Sequence, residues 1–242
     1  MMLNRSKYRR LSSFVGLLSV LMIGVSSCSD EQETPTSPSV PSVPESPSAA
    51  VQSSLRVAVL TDEARAVDVA VNGEIVFRGL TYPQVSEYTS LGVGDYRIQF
   101  LPSGRTSPSL AETFLPLGET SLTVTLTGIS TLEIHTIEDT GGASPDRARV
   151  RLLNAVADFP APVDLAVVNG PMLAENVEYL IASGYTEIIG GIYDLEMRRA
   201  GTKESTAIAH GWSFVPGANY TVFGVGSLRE EDLQMLVAVD SR

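Results

Sequence analysis

From residue 55 onward, apolar and polar positions alternate in short runs, broken every few residues by Gly, Pro, Asp or Asn. Side chains of a strand point to opposite faces in turn, so a two-residue period marks a strand with one face buried. The pattern predicts strands near 55–60, 66–72, 74–78, 85–90, 95–101, 110–115, 120–127 and 131–137. Val67, Val69 and Val71 share one face, Asp68 and Ala70 the other; Tyr96, Ile98 and Phe100 alternate inward. Asn72-Gly73 before Glu74-Ile75-Val76-Phe77 predicts a tight hairpin, because both residues tolerate positive φ. No long stretch has helical amphipathicity. Seven or eight short antiparallel strands at this spacing point to an immunoglobulin-like sandwich, with a small barrel as the alternative.

The same pattern occurs twice, at an offset of about 97 residues. Val67-Asp68-Val69-Ala70-Val71-Asn72-Gly73 corresponds to Val163-Asp164-Leu165-Ala166-Val167-Val168-Asn169-Gly170, where one added residue implies a bulge or a changed turn. Tyr82, Ser86, Tyr88, Thr89, Gly94, Tyr96 and Gly104 then correspond without a gap to Tyr179, Ser183, Tyr185, Thr186, Gly191, Tyr193 and Gly201. Such internal similarity indicates a duplicated structural unit. Each copy is long enough for a small core of its own. Residues 139–146, Asp-Thr-Gly-Gly-Ala-Ser-Pro-Asp, read as the connection. The expected organisation is therefore all-β, with one sandwich over 54–141 and a second over 146–242.

The N-terminal part has another character. Arg5, Lys7, Arg9 and Arg10 precede an apolar stretch from Leu11 to Val25, too short for a comfortable transmembrane helix and built like a secretory signal. It ends in Val25-Ser26-Ser27-Cys28, which resembles the bacterial lipobox and implies cleavage after residue 27 and acylation of Cys28, the only cysteine. No intramolecular disulfide is possible, so the fold rests on its core. Ser29-Asp30-Glu31-Gln32-Glu33 resembles the serine-plus-acidic signal that directs lipoproteins of the Bacteroidota to the outer face of the outer membrane. Pro35, Pro38, Pro41, Pro44 and Pro47 recur every three residues, the period of a polyproline II helix. Residues 28–53 thus read as a lipidated cysteine and a disordered or extended linker, with a reach of roughly 75 Å at about 3.1 Å per residue. That length suits lifting a domain away from a crowded membrane.

Charge narrows the partners. The signal peptide removes four of 17 basic residues and none of the 28 acidic ones, leaving a mature charge of −15. Nucleic acid and anionic headgroups are poor partners for such a surface. The sequon Asn219-Tyr220-Thr221 is read as accidental in a bacterial lipoprotein.

Ala148-Arg149-Val150-Arg151-Leu152-Leu153-Asn154-Ala155, with Asp158, Pro160-Ala161-Pro162-Val163-Asp164-Leu165-Ala166-Val167 and Asn169-Gly170, resembles the bacterial repeat known as domain-of-unknown-function 4397. Tyr185, Ile188, Gly191 and Tyr193, then Arg198-Arg199-Ala200-Gly201, then Tyr220-Thr221-Val222-Phe223-Gly224-Val225-Gly226 extend the resemblance over 55–240. It implies tandem β-sandwiches on a secreted or surface protein and implies no activity. Leu60-Thr61-Asp62-Glu63-Ala64-Arg65 departs from the family's first loop and Asn154 stands at its usual histidine, so no role for that histidine is carried over.

Catalytic chemistry is sparse. His135 and His210 lie in strand-like runs in different copies, with no Gly-x-Ser-x-Gly elbow beside either, so no enzyme is expected. No zinc cluster and no phosphate-binding glycine loop is visible, and no cofactor is expected. Asp68 and Asp164, with Asp62 and Asp158 in adjoining loops, are cation candidates, set against the plainer expectation that they bind backbone N–H groups. Exposed tyrosines would suit a sugar, making Tyr82, Tyr179, Tyr88, Tyr185 and Trp212 candidates, against core packing. The expected function is a non-catalytic interaction or spacer module, lipid-anchored to the outer membrane and surface-exposed, with a surface protein or a glycan as partner. A carbohydrate-binding module is the alternative.

Overall fold

A computed structural model describes residues 52–139, 141–142, 145–159 and 161–241. The signal peptide, Cys28 and the linker up to residue 51 lie outside the described residues. The described residues form seventeen strands and no helix. Copy one holds β1 (Gln52–Val59), β2 (Val67–Val71), β3 (Glu74–Leu80), β4 (Gln84–Val85), β5 (Thr89–Gly92), β6 (Gly94–Pro102), β7 (Ala111–Leu117), β8 (Ser121–Thr127) and β9 (Glu133–Asp139). Copy two holds β10 (Arg147–Asn154), β11 (Val163–Val167), β12 (Met172–Val177), β13 (Thr186–Ile189), β14 (Gly191–Arg199), β15 (Ser205–Phe214), β16 (Asn219–Val225) and β17 (Gln234–Ser241). The strand expected over 85–90 is two short strands, both on β1, and β1 begins two residues before the expected start of the sandwich.

Each copy is a two-sheet sandwich. The outer sheets run β3-β2-β6-β7 and β12-β11-β14-β15; the inner sheets run β4-β1-β8-β9, with β5 also on β1, and β13-β10-β16-β17. The pairings are antiparallel except two: β1 with β8 and β10 with β16 are parallel. Leu55, Val57, Val59, Val67, Val69, Ile98, Phe100, Val124 and Leu126 form the first core. Val150, Leu152, Val163, Leu165, Leu195, Met197, Phe214 and Val222 form the second.

Asn72 (φ 50°) and Gly73 (φ 86°) make the expected two-residue turn between Val71 and Glu74. In copy two the added Val168 changes the turn. The Gly170 N–H donates to Val167 O at 2.8 Å, so Asn169, with φ 55°, sits at the third turn position instead of beginning an Asn-Gly pair.

The middle strands of the inner sheets, β8 and β16, are buried on both faces. Every residue of β16, and every residue of β8 after Ser121, is buried. The cause is a third cluster, Ala58, Leu60, Ile137, Leu153, Ala155, Phe223 and Val225, drawn from both copies. The inner sheets are stacked on each other, with Arg56 of β1 reaching Val239 and Asp240 of β17 and Arg151 of β10 reaching Glu138 and Asp139 of β9. The result is four layers, outer–inner–inner–outer.

At the centre of this contact lie two buried arginines. Arg56 donates through Nε to Thr123 Oγ1 (2.7 Å), through Nη1 to Val239 O (2.9 Å) and through Nη2 to Asp240 of the other copy. Arg151 donates through Nε to Thr221 Oγ1 (2.8 Å), through Nη1 to Glu138 O (2.9 Å) and through Nη2 to Asp139 of the other copy. Each aspartate takes the opposite copy's arginine on Oδ1. On Oδ2 it takes its own copy's threonine and tyrosine: Thr123 and Tyr88 to Asp139 (both 2.6 Å), Thr221 (2.7 Å) and Tyr185 (2.6 Å) to Asp240. The guanidinium carbons of Arg56 and Arg151 lie 4.7 Å from the ring centroids of Tyr88 and Tyr185. The side chains of Arg56, Asp139 and Asp240 are 1% exposed.

Removing one member strands its buried partner, which costs about 3–5 kcal/mol. Arg56→Ala is expected to lower stability by that amount in urea unfolding. A double-mutant cycle of Arg56→Ala with Asp240→Ala should show coupling of about 1 kcal/mol or more, since the two share one network. Simple additivity would mean that the pair does not join the copies.

Candidate functional site

Asp68 and Asp164, the cation candidates, hold backbone instead. Asp68 accepts from Gly79 N (2.7 Å), Gly104 N (2.9 Å) and Ser103 Oγ (3.0 Å). Asp164 accepts from Asn176 N (2.7 Å) and Gly201 N (2.9 Å). Gly79 (φ 60°) and Asn176 (φ 54°) occupy equivalent left-handed positions, where the pairing of β2 with β3 and of β11 with β12 shifts register. Each aspartate therefore ties a bulge in one neighbouring strand to the turn that follows the other neighbour. The backbone N–H groups of Gly104 and Gly79 hold the Asp68 carboxyl below its ordinary value of 3.8.

The tyrosines face the other copy. Tyr88 and Tyr185 are buried against the arginines and donate to Asp139 and Asp240; burial and the adjoining carboxylates push both hydroxyls well above their ordinary value. Tyr82 is half-buried, packed against both the first core and the inter-copy cluster. Burial first, and then the Asp232 carboxylate of copy two, push its hydroxyl up to about 12, against a hydrogen bond to Gln234. Tyr179 reaches the other way, to Thr127 and Glu133 of copy one, and burial raises it as well. The two tyrosines thus reach in opposite directions across the contact and do not line one sugar-binding face. Trp212 is partly buried on β15 against the second core.

The two histidines sit on strands of different copies. His135 is half-buried in β9. His210 is exposed on β15, its Nδ1 3.0 Å from Asp194 Oδ2. Among the described residues no group of three or more His, Cys, Asp or Glu is placed to hold a metal ion.

Sequence reasoning missed Arg56, Arg151, Asp139 and Asp240. The signal was present only as recurrence: an arginine stands at equivalent places of β1 and β10, on the face that alternation turns away from the core, and aspartates stand at the ends of β9 and β17. Ser86 and Ser183, picked out only by their recurrence, accept from Val57 N (2.9 Å) and Leu152 N (3.0 Å), which completes the edges of β1 and β10.

A second feature is a cleft of about 200 Å³ lined by both copies, with Leu60, Asp62, Glu63 and Gly128 from the first and Ala155, Gly226, Glu230 and Asp232 from the second. Leu60 and Ala155 follow β1 and β10, four residues beyond Arg56 and Arg151. Since the arginines lie at one level, β1 and β10 run in the same direction. The cleft therefore sits at the end of the molecule opposite Gln52, where the chain enters. Exposed Ile129 (45%) and Leu228 (38%) stand in the loops there. Asp158 tightens one of these loops. Burial pushes its carboxyl up, but Leu228 N (2.9 Å), Ser227 Oγ (2.7 Å) and Arg229 N (3.1 Å) outweigh burial and hold it below 3.8.

The family model described as Domain of unknown function (DUF4397) matches residues 53–166 and 148–242. No curated protein is significantly similar to the chain. Among solved structures, a carbohydrate-binding module of family 26 from Eubacterium rectale Amy13K, in complex with maltoheptaose, is 10% identical. That match covers 77% of this chain and 95% of that one, with a TM-score of 0.27. A candidate cell adhesion protein from Bacteroides fragilis is 11% identical over 78% and 97% of the two chains, with a TM-score of 0.19. At these scores neither likeness carries an argument about ligand or partner.

Asp68 gives a pH test with a defined sign. Its folded pKa lies below 3.8, so the folded state binds protons less readily than the unfolded chain. Its contribution is present above the unfolded value and is lost as pH falls through 3.8 toward the folded value. Denaturant melts between about pH 2 and 5 should show this loss. Asp68→Asn should lower stability at pH 7 by about 1–3 kcal/mol and flatten the acid limb. A steep limb unchanged in the variant would show that Asp68 contributes nothing to it.

Proposed function

The chain belongs to the DUF4397 family, and we propose that this member is a non-catalytic interaction module of the bacterial cell envelope, lipid-anchored through Cys28 to the outer membrane and facing outward. One observation carries the non-catalytic part. Apart from Trp212, most side chains whose types pointed to ligand chemistry are engaged in holding the fold: Asp68 and Asp164 bind backbone, Tyr82 and Tyr179 reach across the contact between copies, and Tyr88 and Tyr185 donate to the aspartates of the charge network there. The anchor rests on the sequence alone: the basic start, the short apolar stretch and Val25-Ser26-Ser27-Cys28, followed by acidic residues. The linker positions the body, and its double sandwich offers a rigid block to a partner. The contact surface is assigned to the end opposite the linker, where loops of both copies meet and Ile129 and Leu228 are exposed.

Intact-mass analysis of the mature protein is expected to show an acylated Cys28, and Cys28→Ala should abolish the modification and release the protein from the membrane. Protease treatment of intact cells should remove it; survival would place it in the periplasm and sink the outward-facing reading. In a thermal-shift screen of soluble glycans no rise is expected. A rise with one glycan, lost on Trp212→Ala, would replace this reading with carbohydrate binding.

A further inference from the structure

The contact between the copies has the form of an interface between two identical molecules. The interactions of the charge network occur twice with the copies exchanged: Arg56 with Asp240 and Arg151 with Asp139; the Arg56 Nη1 bond to Val239 O and the Arg151 Nη1 bond to Glu138 O; Tyr88 on Asp139 and Tyr185 on Asp240. The weaker charge contacts are also reciprocal, Arg56 Nη2 to Asp139 Oδ1 and Arg151 Nε to Asp240 Oδ2, both 3.8 Å. Such a contact is isologous, the kind formed about a two-fold axis. Here the axis lies between the inner sheets and along β1 and β10, because both strands run the same way past it.

We propose that this face docks a second copy of the chain, the two chains exchanging copies so that the first sandwich of each pairs with the second sandwich of the other. The inference rests on the interaction-module reading and names the partner. The exchanged dimer contains two contacts identical to the one in the closed chain. The copies are joined by residues 140–146, Thr-Gly-Gly-Ala-Ser-Pro-Asp, between the end of β9 and the start of β10. Arg149 Nη1 donates to Gly141 O (3.3 Å) and Gly142 O (3.0 Å). Exchanging an identical element in this way costs little, since no new surface has to be made.

Charge reversal tests this in full-length mature chains. One variant carries Arg56→Asp and Asp139→Arg, the other Arg151→Asp and Asp240→Arg. Alone, each sets like charges against each other at both pairs when it closes. Exchanged, the reversed first sandwich meets the reversed second sandwich, and the two native halves meet each other. Native mass spectrometry of the co-expressed chains is expected to give a one-to-one heterodimer at least tenfold more abundant than either homodimer. Two folded chains that stay monomeric when co-expressed would overturn the proposal. If the reversed network prevents folding, the wild-type chain decides. Refolded from urea, it should give a dimer fraction that grows as concentration approaches the roughly millimolar effective concentration that a short connection sets. Monomer alone at every concentration would equally overturn it. Neither readout depends on anchoring or cell-surface exposure, so failure here leaves those tests standing.

Discussion

A guanidinium cannot shed its charge on burial, and that constraint organises this molecule. Arg56 and Arg151 lie inside inner sheets, at positions that look away from their own cores, where an unpaired cation would be intolerable. The carboxylate that resolves each one comes from the other sandwich. Thr123 and Thr221 hold both ends of each network, accepting from the arginine and donating to the aspartate. Tyrosine rings cover the guanidinium faces. Neither sandwich is electrostatically complete alone, so the two behave as one body.

This has consequences on both sides of each inner sheet. One side must satisfy a small sandwich core of valines and leucines, the other a mixed contact of Ala58, Leu60, Leu153, Phe223 and the charge network. The middle strands β8 and β16 leave almost no face for water, and the polar work of the fold is concentrated in the charge network and at Asp68 and Asp164. The outer sheets carry the ordinary solvated faces, such as the exposed ion pair of Arg97 with Glu112 at 2.7 Å. Exposed ion pairs of that kind contribute little to stability.

The sandwiches were legible in the sequence because strand alternation, Asn-Gly turns and internal similarity are local signals. Val67 to Gly73 announces its hairpin without help from the rest of the chain. The recurrence of Tyr88 as Tyr185 was equally visible, but its cause was not. A tyrosine shared by two copies reads the same whether it packs inside each copy or between them, and only the three-dimensional contact separates the cases. The arginines were hidden for a related reason. A charged residue in a strand is normally assigned to the solvated face, and β1 and β10 have none. The second hairpin shows a smaller limit: one extra residue, Val168, shifted Asn169 within the turn while leaving the dipeptide intact.

The closed geometry of the contact also limits how a chain of such units can grow. In a solenoid each repeat leaves a free face for its successor, so the array extends one unit at a time. Here the two inner faces consume each other, and what remains outside is solvated sheet. A third unit added at the C-terminus would bring an arginine with no aspartate to meet it. Chains built from this contact should therefore count their units in twos, lengthening by whole pairs joined through flexible segments rather than by single additions.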